Sequence, residues 1–264
     1  MTRVRKLLGY GLLAIVAGSL SVGGLSGKAF AADPDPMKLL QDCKTACDKV
    51  KDFTAKFSKR ERMNDKLKKM ETVNMKFRQR PFSVYMHWFE GSNKGREVIY
   101  HEGKYKGQVV GHQRVGPFNF SKKVKPKSRE ALKHSRRPVT MAGFKNAIKA
   151  IMDATEAGKK RNEVTLRYLG TEVFDNRPVH VIIRMFSKKR DDYPVLMGIY
   201  YIDKQYMLPV KIVGYDWDFC LDGLYVYKDV KINVGLKDSD FDITNKNYDF
   251  PRELLPRIWP FGGD

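Results

Sequence analysis

From Met37 onward apolar residues recur at helical spacing. Leu40, Cys43, Cys47 and Val50 lie three or four residues apart, which predicts an amphipathic helix. The period then drops to two. Phe53, Ala55 and Phe57 alternate with Thr54, Lys56 and Ser58, the signature of a strand with one apolar face. After a polar turn at 64–66, Val73, Met75 and Phe77 resume the alternation. Pro81 interrupts it, and Phe82, Val84, Met86 and Trp88 line one face of the next strand. Glycine-bounded turns at 91–95 and 103–107 set off strands at 97–100 and 108–115. A second helix follows, with Phe144, Ala147, Ile148, Ile151 and Met152 on one stripe. The remainder returns to period two. Val164, Leu166 and Tyr168 alternate, and Asp175-Asn176-Arg177-Pro178 is a turn into a strand at 179–186. Strands at 197–202 and 208–215 flank a turn at 203–206. Asp222-Gly223 reads as a hairpin joining 216–221 to 224–233, and 241–250 closes the domain. Helix, meander, helix, meander predicts an α+β domain built on one large, curved antiparallel sheet.

The two ends change where such a domain works. Arg3, Arg5 and Lys6 precede an apolar run at 7–22, and Ala29-Phe30-Ala31 is a small-x-small cleavage site. The run is short and broken by Gly11, Gly18 and Ser19, so residues 1–31 read as a cleaved signal peptide rather than a membrane span. The expected organisation is one domain over 32–250 and a tail at 251–264, exported to the periplasm or secreted, and monomeric. The chain carries 50 Lys+Arg against 30 Asp+Glu, a net of +20. Loss of Arg3, Arg5, Lys6 and Lys28 with the signal lowers that by four, to +16. Such an excess favours anionic lipids, acidic envelope polymers or acidic protein surfaces. Export argues against nucleic acid, although the basic and aromatic letters of 75–88 would suit it.

Much of the excess is concentrated at 121–137. Lys122, Lys123, Lys125, Lys127, Arg129, Arg136 and Arg137 form a cationic segment with little apolar content, expected to be a mobile, solvated loop. Cys43, Cys47 and Cys220 are an odd count for an oxidising compartment. A bridge from one of the first two to Cys220 fits disulfide geometry better than an i, i+4 pair on one helix.

Catalytic signatures are missing. No G-x-S-x-G, H-E-x-x-H, C-x-x-C, P-loop or dinucleotide-binding motif occurs. His87, His101, His112, His134 and His180 are scattered, and none lies at i, i+4 from another, so no metal or cofactor is expected. Asp191-Asp192 and the Asp216, Asp218 pair read as turn residues. No catalytic residue is assigned, and a hydrolase is the weakest of the functional readings.

The stretch Lys49, Val50, Phe53, Ala55, Phe57 resembles the K-V-x-x-F-x-A-x-F opening of the periplasmic lipoprotein carriers LolA and LolB. Arg80-Pro81 followed by Val84, Met86 and Trp88 is similar to their strand that reaches Arg-Pro. The series K-F-R-x-x-P-F-S-V-Y-M at 76–86 and G-R-E-V-I-Y at 95–100 resembles, over nearly the whole mature chain, an exported bacterial family of unknown function, DUF1571. The resemblance implies an incomplete β-barrel whose concave face is capped by helices. In the carriers that cavity takes lipoprotein acyl chains, and the arginine of Arg-Pro holds the helical lid. Here the corresponding lining would be Phe53, Phe57, Met75, Phe77, Val84, Met86 and Trp88 from the sheet and Ile148 and Met152 from the second helix, with Arg80 as latch. The basic segment at 121–137 is not part of the carrier pattern. The leading expectation is thus a non-enzymatic carrier for a lipid, acylated protein or other amphiphile. The alternative is a module binding acidic envelope polymers, or an anionic membrane surface, through the basic segment.

Overall fold

The computed structural model describes residues 33–115 and 118–251. The signal-peptide region and the tail beyond Pro251 lie outside the described residues. Helix α1 (Pro36–Lys49) starts where Asp35 accepts a hydrogen bond from the Met37 amide, with Pro36 in the first turn, where its missing N–H costs nothing. Its apolar stripe buries Leu39, Leu40, Cys43 and Cys47. Strands β1 (Asp52–Met63), β2 (Lys66–Leu67), β3 (Glu71–Arg78), β4 (Ser83–His87), β5 (Glu97–His101), β6 (Val109–Val115) and β7 (Phe118–Val124) follow as a meander. A segment at 125–143 then leads into α2 (Phe144–Lys160). A second meander comprises β8 (Val164–Phe174), β9 (Arg177–Phe186), β10 (Met197–Asp203), β11 (Pro209–Tyr215) and β12 (Leu221–Ile232).

All twelve strands form one antiparallel sheet in the order β7-β6-β5-β4-β3-β1-β12-β11-β10-β9-β8, with β2 paired to β1 alone. The end strands β7 and β8 do not pair with each other, so the barrel is incomplete, as the alternation and the resemblance imply. The chain passes between those two ends through 125–143 and α2, which lie over the concave face. Alternation sorts the two faces. Phe53, Met75, Phe77, Val84 and Trp88 point inward and pack with Phe144, Ile148 and Met152 of α2. Tyr85, Ile99 and Val110 point to the convex side, where Phe241, Ile243 and Phe250 cover them. That covering segment is tied down by Lys76–Asp240 (2.7 Å), Arg78–Asp238 (2.6 Å) and Lys104–Asp242 (2.7 Å).

Two expectations are corrected. Asp222-Gly223 is not a hairpin turn but lies inside β12; the turn is at 216–220. There Asp216 accepts the amides of Asp218 (3.0 Å) and Cys220 (2.8 Å), and Phe219 takes φ +57°. Nor is there a disulfide. All three cysteines are free: Cys43 and Cys47 face the core on α1, whereas Cys220 is exposed in that turn. Burial pushes the Cys43 thiol well up, with Cys47 beside it adding to the shift. A thiol reagent at neutral pH should therefore label one cysteine per native chain, Cys220, and all three in denaturant; fast native labelling of three would mean that α1 is not docked.

A second anchor fixes the far end of α2. Glu163 accepts Arg190 Nε (2.6 Å) and Nη2 (2.5 Å) and the Tyr193 hydroxyl (2.9 Å). The Arg190 hydrogen bonds hold its pKa down to about 2, from an ordinary 4.5. A carboxylate with a lowered folded-state value stabilises fully above 4.5, and that contribution disappears as pH falls towards 2. Glu163→Gln should therefore flatten the fall in melting temperature between pH 4.5 and 2. An unchanged acid limb would show that this pair contributes nothing.

Candidate binding cavity

A cavity of about 600 Å³ lies between the concave face and the roof formed by residues 125–143 and α2. Phe57, Met75, Met86, Trp88 and Val98 line one flank, and Tyr200, Ile212 and Tyr227 the other. Ala147, Ala150 and Ile151 of α2, with Val139 and Met141 from the segment before it, form the roof.

The floor has a cause that register makes plain. Arg184 on β9 stands opposite Gly198 on β10, Gly198 opposite Gly214 on β11, Gly214 opposite Gly223 on β12, and Gly223 opposite Glu61 on β1. Directly opposed residues share a face, so three consecutive strands present no side chain along one transverse row. In the next row Tyr200 and Tyr225 lean back over it. A Cβ on Gly198 would come within 2.2 Å of the Tyr200 hydroxyl, and one on Gly223 within 3.1 Å of the Tyr225 ring. Strands at ~4.8 Å spacing make the row from β9 to β1 roughly 19 Å long. The glycines therefore make room for the Tyr200 and Tyr225 side chains and for Val195, which cover the row as one wall of the cavity.

Charged groups sit at its ends. At the β1 end Glu61 is buried and accepts the Tyr225 hydroxyl (2.7 Å) and the Arg136 amide (3.2 Å). Lys59 is 3.5 Å from Glu61 and donates to the His134 carbonyl (3.0 Å); Arg136 pairs with Asp222 at 2.5 Å. Burial and the neighbouring Glu61 push the Tyr225 phenol upward, so it remains a donor at neutral pH. These contacts pin the basic segment across the groove as a strap. At the other end Arg184 is 2% exposed. Its Nη1 donates to the Ile151 carbonyl (3.1 Å) and Thr155 Oγ1 (3.4 Å) of α2, and its guanidinium lies over the Phe186 and Tyr200 rings at 4.6 and 5.5 Å.

A family model described as a protein of unknown function (DUF1571) matches residues 50–250. The chain belongs to that family. The DUF1571 match contains every residue that lines the groove. No curated protein matches the sequence. Similar solved structures include the MucA/MucB complex of Pseudomonas aeruginosa, at 13% identity over 79% of this chain and 61% of that one, with TM-score 0.44. The Mycobacterium tuberculosis lipoprotein LppX matches at 10% identity, covering 79% and 100%, with TM-score 0.43. A LolA superfamily protein from Nitrosomonas europaea matches at 10% identity, covering 80% and 98%, with TM-score 0.30.

Of the nine residues expected to line a cavity in this DUF1571 chain, Phe57, Met75, Met86 and Trp88 do so. Phe53, Phe77, Val84, Ile148 and Met152 instead fill the core beside it, where α2 presses its apolar stripe onto the sheet. Arg80 is corrected as well: it is exposed at the β3–β4 turn and makes no hydrogen bond or ion pair among the described residues, so it latches neither α1 nor α2. Arg78, on the convex side, meets Asp238 and the Phe241 ring. The arginine that reaches a helix is Arg184. Its signal was present in the sequence as a lone charge on the inward face of the apolar run Val179 to Phe186. The basic segment divides in two. Lys122 pairs with Glu130, and Arg136 and Arg137 belong to the strap, whereas Lys123, Lys125, Lys127 and Arg129 are exposed and without ion pairs among the described residues.

Among the described residues no group of three or more His, Cys, Asp or Glu could hold a metal. No helix among them is long and apolar enough to cross a membrane.

Proposed function

We propose that this DUF1571 chain is an exported, non-enzymatic binding protein that holds the apolar chain of a lipid, acylated protein or other amphiphile in its half-barrel groove. The observation that carries this reading is the groove itself: about 600 Å³, predominantly apolar in its walls, and floored by a row of glycines. Ligand pockets commonly measure about 300–1,000 Å³. Each methylene moved from water into such a space is worth about 0.8 kcal/mol. Adaptable Met75, Met86 and Met141 suit chains of varying shape. The strap is tied to the sheet by polar contacts through Glu61 and Asp222, whereas α2 is held by its apolar stripe, so the strap can open without unfolding the sheet.

Native mass spectrometry of protein purified from the envelope tests this directly, together with uptake of a fluorescent fatty-acyl probe by the delipidated protein. Bound lipid or saturable uptake is expected; neither would overturn the reading. A second reading rests on the exposed, unpaired Lys123, Lys125, Lys127 and Arg129. If they bind an acidic envelope polymer, binding should fall steeply with salt and vanish when all four are neutralised, with acyl-probe uptake unchanged.

A further inference from the structure

The groove is unbalanced in charge. Its carboxylates have cationic neighbours: Glu61 and Glu71 with Lys59, Glu130 with Lys122, and Asp222 with Arg136. Arg184 has none. Only Nη1 is used, on the backbone and hydroxyl of α2. Nε is buried without a partner, and Nη2 makes no hydrogen bond among the described residues. Nε and Nη2 form the edge of a guanidinium that receives a carboxylate through two parallel hydrogen bonds. A buried ion without a counterion is costly, and rings above and below offset only part of that cost. Burial pushes the Arg184 pKa down, yet an arginine remains protonated at neutral pH. Other groups in the same groove lack partners too: Trp88 Nε1 and Ser121 Oγ are buried without one, and the hydroxyls of Tyr200 and Tyr227 make no hydrogen bond among the described residues. Tyr200 leans over Gly198, the residue directly opposite Arg184, so its hydroxyl stands at the same end of the row.

We propose that the Nε–Nη2 edge of Arg184 receives the carboxylate of a long-chain fatty acid, whose alkyl chain extends through the apolar cavity from β9 towards β1. This rests on the reading of the groove as an amphiphile site and specifies its head group. The acid enters carboxylate-first, its negative charge supplying the counterion Arg184 lacks and the Tyr200 hydroxyl adding a donor. The roughly 19 Å between β9 and β1 takes the chain in extended form. No bond is made or broken.

The test titrates the delipidated mature chain with palmitate, hexadecanol and hexadecyl phosphate under identical conditions, by calorimetry. Palmitate is expected to bind about 10–100-fold more tightly than hexadecanol, the range set by hydrogen bonds to a charged group. Arg184→Met should abolish that preference while hexadecanol still binds, and Arg184→Lys should retain only part of it. Since Arg184→Met removes a contact to α2, its melting temperature is measured alongside; the wild-type preference stands as a test even if that variant does not fold. Equal binding of palmitate and hexadecanol by the wild type overturns the carboxylate assignment and leaves the amphiphile reading intact. Tighter binding of hexadecyl phosphate than of palmitate overturns it in favour of a phosphate head. Binding of none of the three overturns both.

Discussion

Phe53→Ala is expected to lower stability by about 3–5 kcal/mol, the range for truncating a buried phenylalanine. Phe53 is fully buried, and its ring meets three elements at once: Phe77 of β3 at 4.9 Å, Phe144 of α2 at 4.6 Å, and Tyr227 of β12 at 6.2 Å. Loss of the ring removes transfer energy and leaves a void that three rigid partners cannot close. Because Phe144 opens α2, the same change should loosen the roof of the groove. A urea titration reads the effect as a lower midpoint at unchanged slope. The matched control is Phe219→Ala in the exposed β11–β12 turn, expected to stay within about 0.5 kcal/mol of wild type. Equal costs for the two variants would mean that this ring cluster does not hold α2 to the sheet.

Gly214→Val should separate binding from stability. A Cβ at Gly214 meets Val195 Cγ1 at 3.1 Å and the Gly223 carbonyl at 3.8 Å, so Val195 has to yield by a few tenths of an ångström. The backbone there is ordinary strand, where glycine is itself destabilising by roughly 0.5–1 kcal/mol relative to alanine. Net stability is therefore expected to change by less than about 1 kcal/mol. The three added carbons push Val195 into the groove, and a similar volume of alkyl chain is excluded. At about 0.8 kcal/mol per methylene, this weakens an acyl probe by about 2 kcal/mol, or roughly thirtyfold. Stability retained with binding lost would mark the glycine row as maintained for a ligand. Unchanged probe affinity would place the ligand elsewhere.

These two residues also show what sequence could and could not reveal. Phe53 stood out because it opens a period-two run directly after a period-3.6 run, and its inward face followed without any fold. Gly214 did not, because its meaning depends on Gly198 and Gly223 lying beside it, and only strand register brings the three together. The same limit explains Asp222-Gly223. Local turn rules read that pair as a hairpin, whereas the glycine lies in the row opposite Gly214 and the turn is made by Asp216, six residues before Asp222. Arg80 was expected to hold a helix, and Arg184, which does, was not singled out, for a related reason. Each is an arginine beside an apolar run, but Arg80 stands exposed in the β3–β4 turn and β9 sends Arg184 inward. The strap was hidden by composition: its charges suggested solvent, while its fixed position comes from buried Glu61 and from Asp222 on distant strands.

Sheet order has a consequence for how the chain reaches this state. The strands on either side of the β1–β12 seam are near neighbours in sequence, so each wing can zip up from local pairings. The seam itself joins Phe53 to Ile232, and closing it draws together points 179 residues apart. Such a closure is the slowest kind of pairing to nucleate. The glycine row lies within the β8–β12 wing, whereas Glu61 and the flank of Phe57, Met75, Met86 and Trp88 belong to the other, so the two walls of the groove meet only in the event that completes the sheet.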